Sequence, residues 1–298
     1  MSSDRPNPIK LWLAARNGQV LICKDLLERN YKSPGYIDHV YRGSTALVSA
    51  LKHSRVRGNT SDYNPKQTGM HLDVVRVLLA YGAKIETDAD PAAALYYAIE
   101  EGPSIEYVQL LLNSTQDISV NRDFYGCTPL MTALRNMLGP KELAKEQMLA
   151  LLFRGADVHA LDKDGYSILH QLCSADEWVC NTLQKFQADF NRKCRYGRTP
   201  LHLLIYEEAD NIRYMNRSTD GFVEDVELFL RYGASVHIQD DTGRTVIQVA
   251  AALLPPDNLA RKLLNSIGIM TTFARGRWST LSYDSFKVNC NRPLEITM

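Results

Sequence analysis

Four residues near the middle of the chain have the types that could hold zinc: His170, Cys173, Cys180 and Cys194. Their positions argue for another role. Cys173 falls where a small residue is needed on an inner helix and Cys180 on an apolar position of the next helix, so both are expected in the core as small hydrophobes. The other arrangements that carry chemistry are missing from the sequence. There is no Gly-x-x-x-x-Gly-Lys phosphate loop, no His-Glu-x-x-His and no Gly-x-Ser-x-Gly elbow. The remaining histidines and acids offer chance pairs with no pocket-forming pattern around them. No catalytic residue, metal or cofactor is therefore expected.

What recurs instead is a turn. Arg195-Tyr196-Gly197-Arg198-Thr199-Pro200-Leu201-His202 is echoed by Asp123-Phe124-Tyr125-Gly126-Cys127-Thr128-Pro129-Leu130. Weaker copies run from Asp162 to His170 and from Asp240 to Ile247. The glycines Gly126, Gly165, Gly197 and Gly243 mark tight turns that need a positive φ. The Thr-Pro that follows opens a helix, with Pro where its missing N–H costs nothing. The Thr-Pro-Leu-His unit resembles the opening of an ankyrin repeat, which recurs at about 33 residues. The resemblance extends to seven units over 9–267, nearly the whole chain. It implies an all-α solenoid of stacked helix-turn-helix units with short β-hairpin fingers. It also implies that His170 and His202 stiffen their turns.

Read in order, residues 1–8 form an N-terminal tail. The first unit has Ala14-Ala15, Gly18, Leu26 and Leu27 but no Thr-Pro, as terminal units often do. Insertions near 53–72, 136–145 and 207–221 fall between the two helices of the second, fourth and sixth units. They are expected as surface loops on one edge of the solenoid. Residues 268–298 leave the repeat pattern, alternating Phe273, Trp278, Leu281, Tyr283 and Phe286 with polar residues. They are predicted as a C-terminal tail packing on the last unit, which otherwise lacks a cap.

Composition sets the setting. Apolar residues make up 45% and charged residues 23% of the 298, as in soluble folded proteins. Lysine plus arginine equals aspartate plus glutamate at 34 each, so no overall field draws the chain to nucleic acid or an anionic membrane. No secretory signal or spanning segment is legible. A cytoplasmic or nuclear monomer with reduced cysteines is expected.

Function then rests on the finger tips. In the resembled family, the second, third and fifth residues of the unit point away from the core and meet partners. Here the predicted partner-binding residues are Phe124, Tyr125, Lys163, Tyr166, Arg195, Tyr196, Arg198 and Arg244. Aromatic and arginine side chains are the types enriched at binding hot spots. The expected function is a non-catalytic protein–protein interaction adaptor holding a partner protein on a concave groove across units four to seven. One alternative is the substrate-recognition adaptor of a ubiquitin ligase. For that, Arg292-Pro293-Leu294-Glu295-Ile296 faintly resembles the opening of the F-box-like boxes that end some ankyrin proteins, though it stands near the last residue and is read as accidental. Another alternative is a repeat scaffold attached to an enzyme or transcription complex. A basic stripe of Arg195, Arg198 and Arg244 on nucleic acid is disfavoured by the charge balance.

Overall fold

A computed structural model describes residues 6–30, 32–55, 65–88, 91–116, 118–172, 176–215 and 221–274. The chain divides into two compact units, one ending at Asp157 and the other starting at Val158.

The first unit holds four helix pairs: α1 (Pro8–Arg16) with α2 (Val20–Asn30), α3 (Ala46–Lys52) with α4 (Pro65–Ala80), α5 (Ala93–Glu100) with α6 (Ile105–Leu112), and α7 (Pro129–Arg135) with α8 (Lys141–Phe153). The odd-numbered helices pack in one row and the even-numbered helices in a second. Small residues let the first row approach closely, and Ala15, Ala50, Ala93, Ala94 and Ala133 are fully buried. The second row is filled by leucines one per repeat, Leu27, Leu78, Leu111 and Leu151, all without exposure. Burying each contributes about 1.5–3 kcal/mol.

Beyond Val158 the same alternation continues in the second unit. A 3-10 helix (Ile168–Gln171) stands in the place of an inner helix and precedes α9 (Glu177–Lys185). The pairs α10 (Pro200–Asp210) with α11 (Phe222–Arg231) and α12 (Val246–Leu253) with α13 (Leu259–Ala274) follow. Leu183, Phe229 and Leu264 are the corresponding fully buried residues of this unit.

Threonines start the inner helices where the sequence places them. Thr45 and Thr128 each accept from the backbone three residues on, and Thr199 and Thr245 form capping boxes with His202 and Gln248. Such caps are worth about 1 kcal/mol each.

The inserted stretches are more helical than the loops expected of them. Residues 65–72 belong to α4, where Leu72 is buried and the His71 Nε2 reaches the carbonyl oxygen of Arg16 at 3.0 Å. Part of the 136–145 insertion is a 3-10 turn (Asn136–Leu138) and the first turns of α8. Asn136 and the buried Gln147 both donate to the carbonyl of Ile99 at the end of α5, at 2.9 and 3.1 Å. Insertion residues 207–215 extend α10 and then form a π-helix (Asn211–Met215). Where extra residues belong to α4, α8 and α10 they make those helices longer, and each adds a hydrogen bond without a new nucleus. Residues 268–274, placed in the tail by sequence, are the end of α13. The remainder of the predicted tail, with most of 1–8, lies outside the described residues, as do 56–64 and 216–220.

Candidate partner-binding face

The hairpin fingers take two forms. In the first unit, Tyr41 pairs with Ser44 and Phe124 with Cys127 across two-residue turns. Both central residues have positive φ, Arg42 at 51° and Gly43 at 76°, Tyr125 at 52° and Gly126 at 81°, the signature of a type I′ turn. In the second unit, Gly165, Gly197 and Gly243 alone take the left-handed position. Their N–H groups donate back to the carbonyls of Asp162, Cys194 and Asp240, and the pairing closes one residue wider.

One residue position explains the difference. Two places before the glycine, the first unit has Tyr41 and Phe124, whereas the second has Lys163, Arg195 and Asp241. An aromatic ring there turns inward. Phe124 is only 8% exposed, with its ring centroid 4.5 Å from that of Tyr96 and 5.8 Å from that of Tyr97. Tyr41 packs edge-on against Trp12. Phe124 thus departs from the outward placement expected from the sequence. Its withdrawal shortens the turn and leaves Tyr125 left-handed and 79% exposed. Tyr125, Tyr96, Tyr97, Lys52, His53 and Glu100 line a cleft of about 420 Å³ in this unit, where the Lys52 ammonium lies 5.3 Å from the Tyr97 ring centroid.

The second unit brings several predicted residues together. The Arg198 guanidinium sits 4.1 Å from the ring centroid of Tyr206 and 5.5 Å from that of Tyr196, which is 50% exposed. Arg244 donates through Nη2 to the Tyr206 hydroxyl at 2.8 Å and through Nε to Thr242 Oγ1 at 2.8 Å. Tyr166 is half-buried, with its ring 5.9 Å from His170. Burial raises its pKa, helped by Cys194 and Tyr196, while Arg198 pulls the other way. Arg195 is exposed on the same finger as Tyr196, and the exposed Lys163 Nζ lies 3.9 Å from Asp164 Oδ2.

The backbone beneath these side chains is pinned from repeat to repeat. His170 donates through Nε2 to the carbonyl of Arg198 at 3.1 Å, and His202 does the same to Arg244 at 3.3 Å. Asp240 is buried and accepts from the N–H groups of Thr242 and Arg244 and from the Thr242 hydroxyl. Burial pushes its carboxyl pKa up, but those hydrogen bonds and the Arg244 charge outweigh it and hold it below the usual carboxylate value. The finger side chains are therefore displayed from a preorganised main chain.

Tyr206 was missed in the sequence. The signal was available: three residues after Leu203 on α10, it shares a helical face that avoids the buried Leu201, His202, Leu204 and Ile205. Among the described residues, the zinc-type residues His170, Cys180 and Cys194 are not gathered into a set of metal ligands. Cys180 is buried, its thiol pushed up to about 12 by burial. Cys194 is also buried, and Cys173 lies outside the described residues. Among the described residues no three His, Cys, Asp or Glu side chains are placed to share an ion, and no helix is long and apolar enough to cross a membrane.

Comparison with known proteins agrees with this architecture. Residues 66–146 match the family model of ankyrin repeats, in three copies. Two curated relatives, "ankyrin repeat and SOCS box protein 6" of Pongo abelii and of Homo sapiens, are 29% and 28% identical over 184 residues. The match covers 56% of this chain and 42% of each relative, so the chain spans less than half the length of these relatives. Among solved structures, the human ASB11 ankyrin repeat domain superposes with a TM-score of 0.57 at 18% identity, over 86% of this chain and 96% of that one. The ankyrin repeat domain of Bcl-3, a member of the IkappaB protein family, gives 0.58 at 22%, over 84% and 95%. Ankyrin repeats are generally protein–protein interaction modules; residues 66–146 of this chain match their family model, and its fold is that of ankyrin repeat domains.

Proposed function

We propose that the chain is a non-catalytic adaptor that holds a protein partner on its fingers and inner helices, centred in the second unit on Tyr196, Arg198, Tyr206 and Arg244. The observation that carries this reading is the Arg198 guanidinium, stacked against Tyr206 and forming no ion pair among the described residues. Aromatic and arginine anchors of this kind dominate protein interfaces. The reading goes with a monomer in the cytosol or nucleus, with no cofactor, nucleic acid or membrane as its partner. The test is a pull-down from native cell extract comparing wild type with a Tyr166→Ala, Tyr196→Ala, Arg198→Ala variant shown by circular dichroism to be folded. Loss of a specific partner from the variant is the expected result. Retention of every partner would move recognition elsewhere on the chain.

A second reading is favoured by the names of the curated relatives, which couple ankyrin repeats with a SOCS box. It makes the chain the substrate-recognition adaptor of a ubiquitin ligase. Support would be ubiquitin-chain formation by material co-purified with the full chain; chain formation no higher than on empty beads removes this reading.

A further inference from the structure

The four side chains at the centre of the second unit are not equivalent in charge. Arg244 is accommodated within the protein: its Nε and Nη2 donate to Thr242 and Tyr206, and Asp240 Oδ2 lies 3.8 Å from Nη2. Arg198 has no such carboxylate among the described residues. Its guanidinium carbon lies over the Tyr206 ring and near that of Tyr196, and its Nε is buried with no hydrogen-bond partner among the described residues. A guanidinium that stacks through its face keeps its N–H donors in the plane, directed away from the ring. That Nε is buried out of a partner's reach, so it is the terminal Nη donors of this half-buried residue that have room for an oxygen supplied from outside.

We infer that Arg198 is the receptor for a single carboxylate, supplied by an aspartate or glutamate in an extended segment of the partner protein. The inference rests on the adaptor reading above. Carboxylate oxygens match the guanidinium fork in a bidentate pair. The surroundings favour one negative charge over a run of phosphates: the exposed Asp164 and Asp241 stand on the neighbouring fingers of the same unit, and the chain as a whole has no excess positive charge. The backbone at Arg198 is already held by the His170 hydrogen bond to its carbonyl, so little ordering remains to be done on binding. Tyr196, half exposed beside it, offers a ring for an apolar neighbour of that acid.

The experiment uses the full chain as bait for a phage-displayed library of random 16-residue peptides, with the best binders resynthesised and titrated by fluorescence anisotropy. The expected binders share an Asp or Glu at one position. Replacing that residue by its amide should weaken binding to wild type by about tenfold or more and change nothing further on an Arg198→Gln variant. Arg198→Lys, which keeps the charge but loses the fork, should behave like Arg198→Gln. Thermal melts establish that each variant is folded. Binders that lose affinity for Tyr196→Ala but show no preference for an acid overturn the carboxylate assignment and leave the finger-face reading standing. Binders indifferent to both positions, or a library that yields none, overturn both. An oligothymidine 12-mer that displaces the peptides and needs Arg198 to bind assigns the site to phosphate and overturns the proposal.

Discussion

His202 and Arg244 are joined across two repeats: the imidazole Nε2 donates to the Arg244 carbonyl at 3.3 Å, while Nδ1 accepts from the N–H of Thr199 at 3.2 Å. Nδ1 must be unprotonated to accept, so the neutral ring is the one the fold uses. His170 repeats the arrangement with Arg198 and Ser167.

Acid should therefore loosen the second unit. Burial lowers the pKa of both histidines, and the carbonyl each one reaches only partly offsets it. Between the lowered folded values and the unfolded value of about 6.5, the unfolded chain binds more protons, so stability is full above that value and falls as pH drops below it. Asp240, whose folded pKa is depressed, loses its contribution only at lower pH, and the buried Glu208, raised by burial, acts with the opposite sign above its ordinary value. The comparison of wild type with His202→Gln isolates the histidine. Repeat seven already uses glutamine there, Gln248 Oε1 accepting from Thr245 N–H at 2.9 Å. The variant should be about 1 kcal/mol less stable at pH 7.5 for want of the Arg244 bond. The gap should narrow at pH 5. Urea unfolding at the two pH values measures this; a constant gap would show that His202 does not titrate on unfolding.

Tyr125 is held in a left-handed conformation that costs a side-chain-bearing residue about 1–2 kcal/mol, partly offset by its edge-on contact with Phe124 at 4.2 Å between centroids. Asparagine tolerates that conformation and alanine does not. Both substitutions remove the ring, so the difference between them reads the backbone alone. Tyr125→Asn should exceed Tyr125→Ala in stability by about 1 kcal/mol in chemical denaturation. Equal stabilities would mean that the turn relaxes when the ring is removed.

Much of this was legible in the sequence because repetition and local capping are local facts. The Thr-Pro starts, the turn glycines and the buried leucines each depend on residues within a few positions. What was not legible depends on neighbours distant in sequence. Phe124 reads as a finger residue until Tyr96 and Tyr97, on the preceding inner helix, offer it a packing surface. Tyr206 reads as one more helix residue until Arg198 and Arg244 close on it. The insertion residues 65–72 were expected as loop from Gly, Asn and Pro content, but Pro65 is the first residue of α4, where proline is well suited.

Side-chain amides tie one repeat to the next along the loops. Asn191 donates to the Gly233 carbonyl at 2.9 Å and accepts from Ser235 N–H at 2.7 Å; Asn121 makes the same pair with Gly155 and Asp157, and Gln116 with Ala83 and Ile85. Asn191→Leu leaves one donor and one acceptor without their partner and should cost about 2 kcal/mol. Asn191→Asp keeps the Ser235 bond and sets a carboxylate against the Gly233 carbonyl, so its cost should shrink as the carboxyl is protonated at low pH. An Asn191→Asp penalty independent of pH would show that the side chain swings away from Gly233.

Gly197 and Gly243 share a positive φ, 66° and 77°, but only one of them is crowded. A Cβ at Gly243 would meet nothing within 4 Å. At Gly197 it would run into the Asp241 carboxylate and approach the Asp241 main-chain nitrogen at 2.7 Å, and that nitrogen donates to the Tyr196 carbonyl. Gly243→Ala should therefore cost only the strain of a left-handed alanine, about 1 kcal/mol. Gly197→Ala adds displacement of finger seven and should cost about 2–3 kcal/mol. Because Tyr196 and Arg198 flank Gly197, the same substitution should also disturb the ring and guanidinium stack while Gly243→Ala leaves it in place. Tyrosine fluorescence and urea midpoints on the two variants measure both effects. Equal penalties would mean that Asp241 moves aside freely, and that fingers six and seven are not rigidly joined through Tyr196.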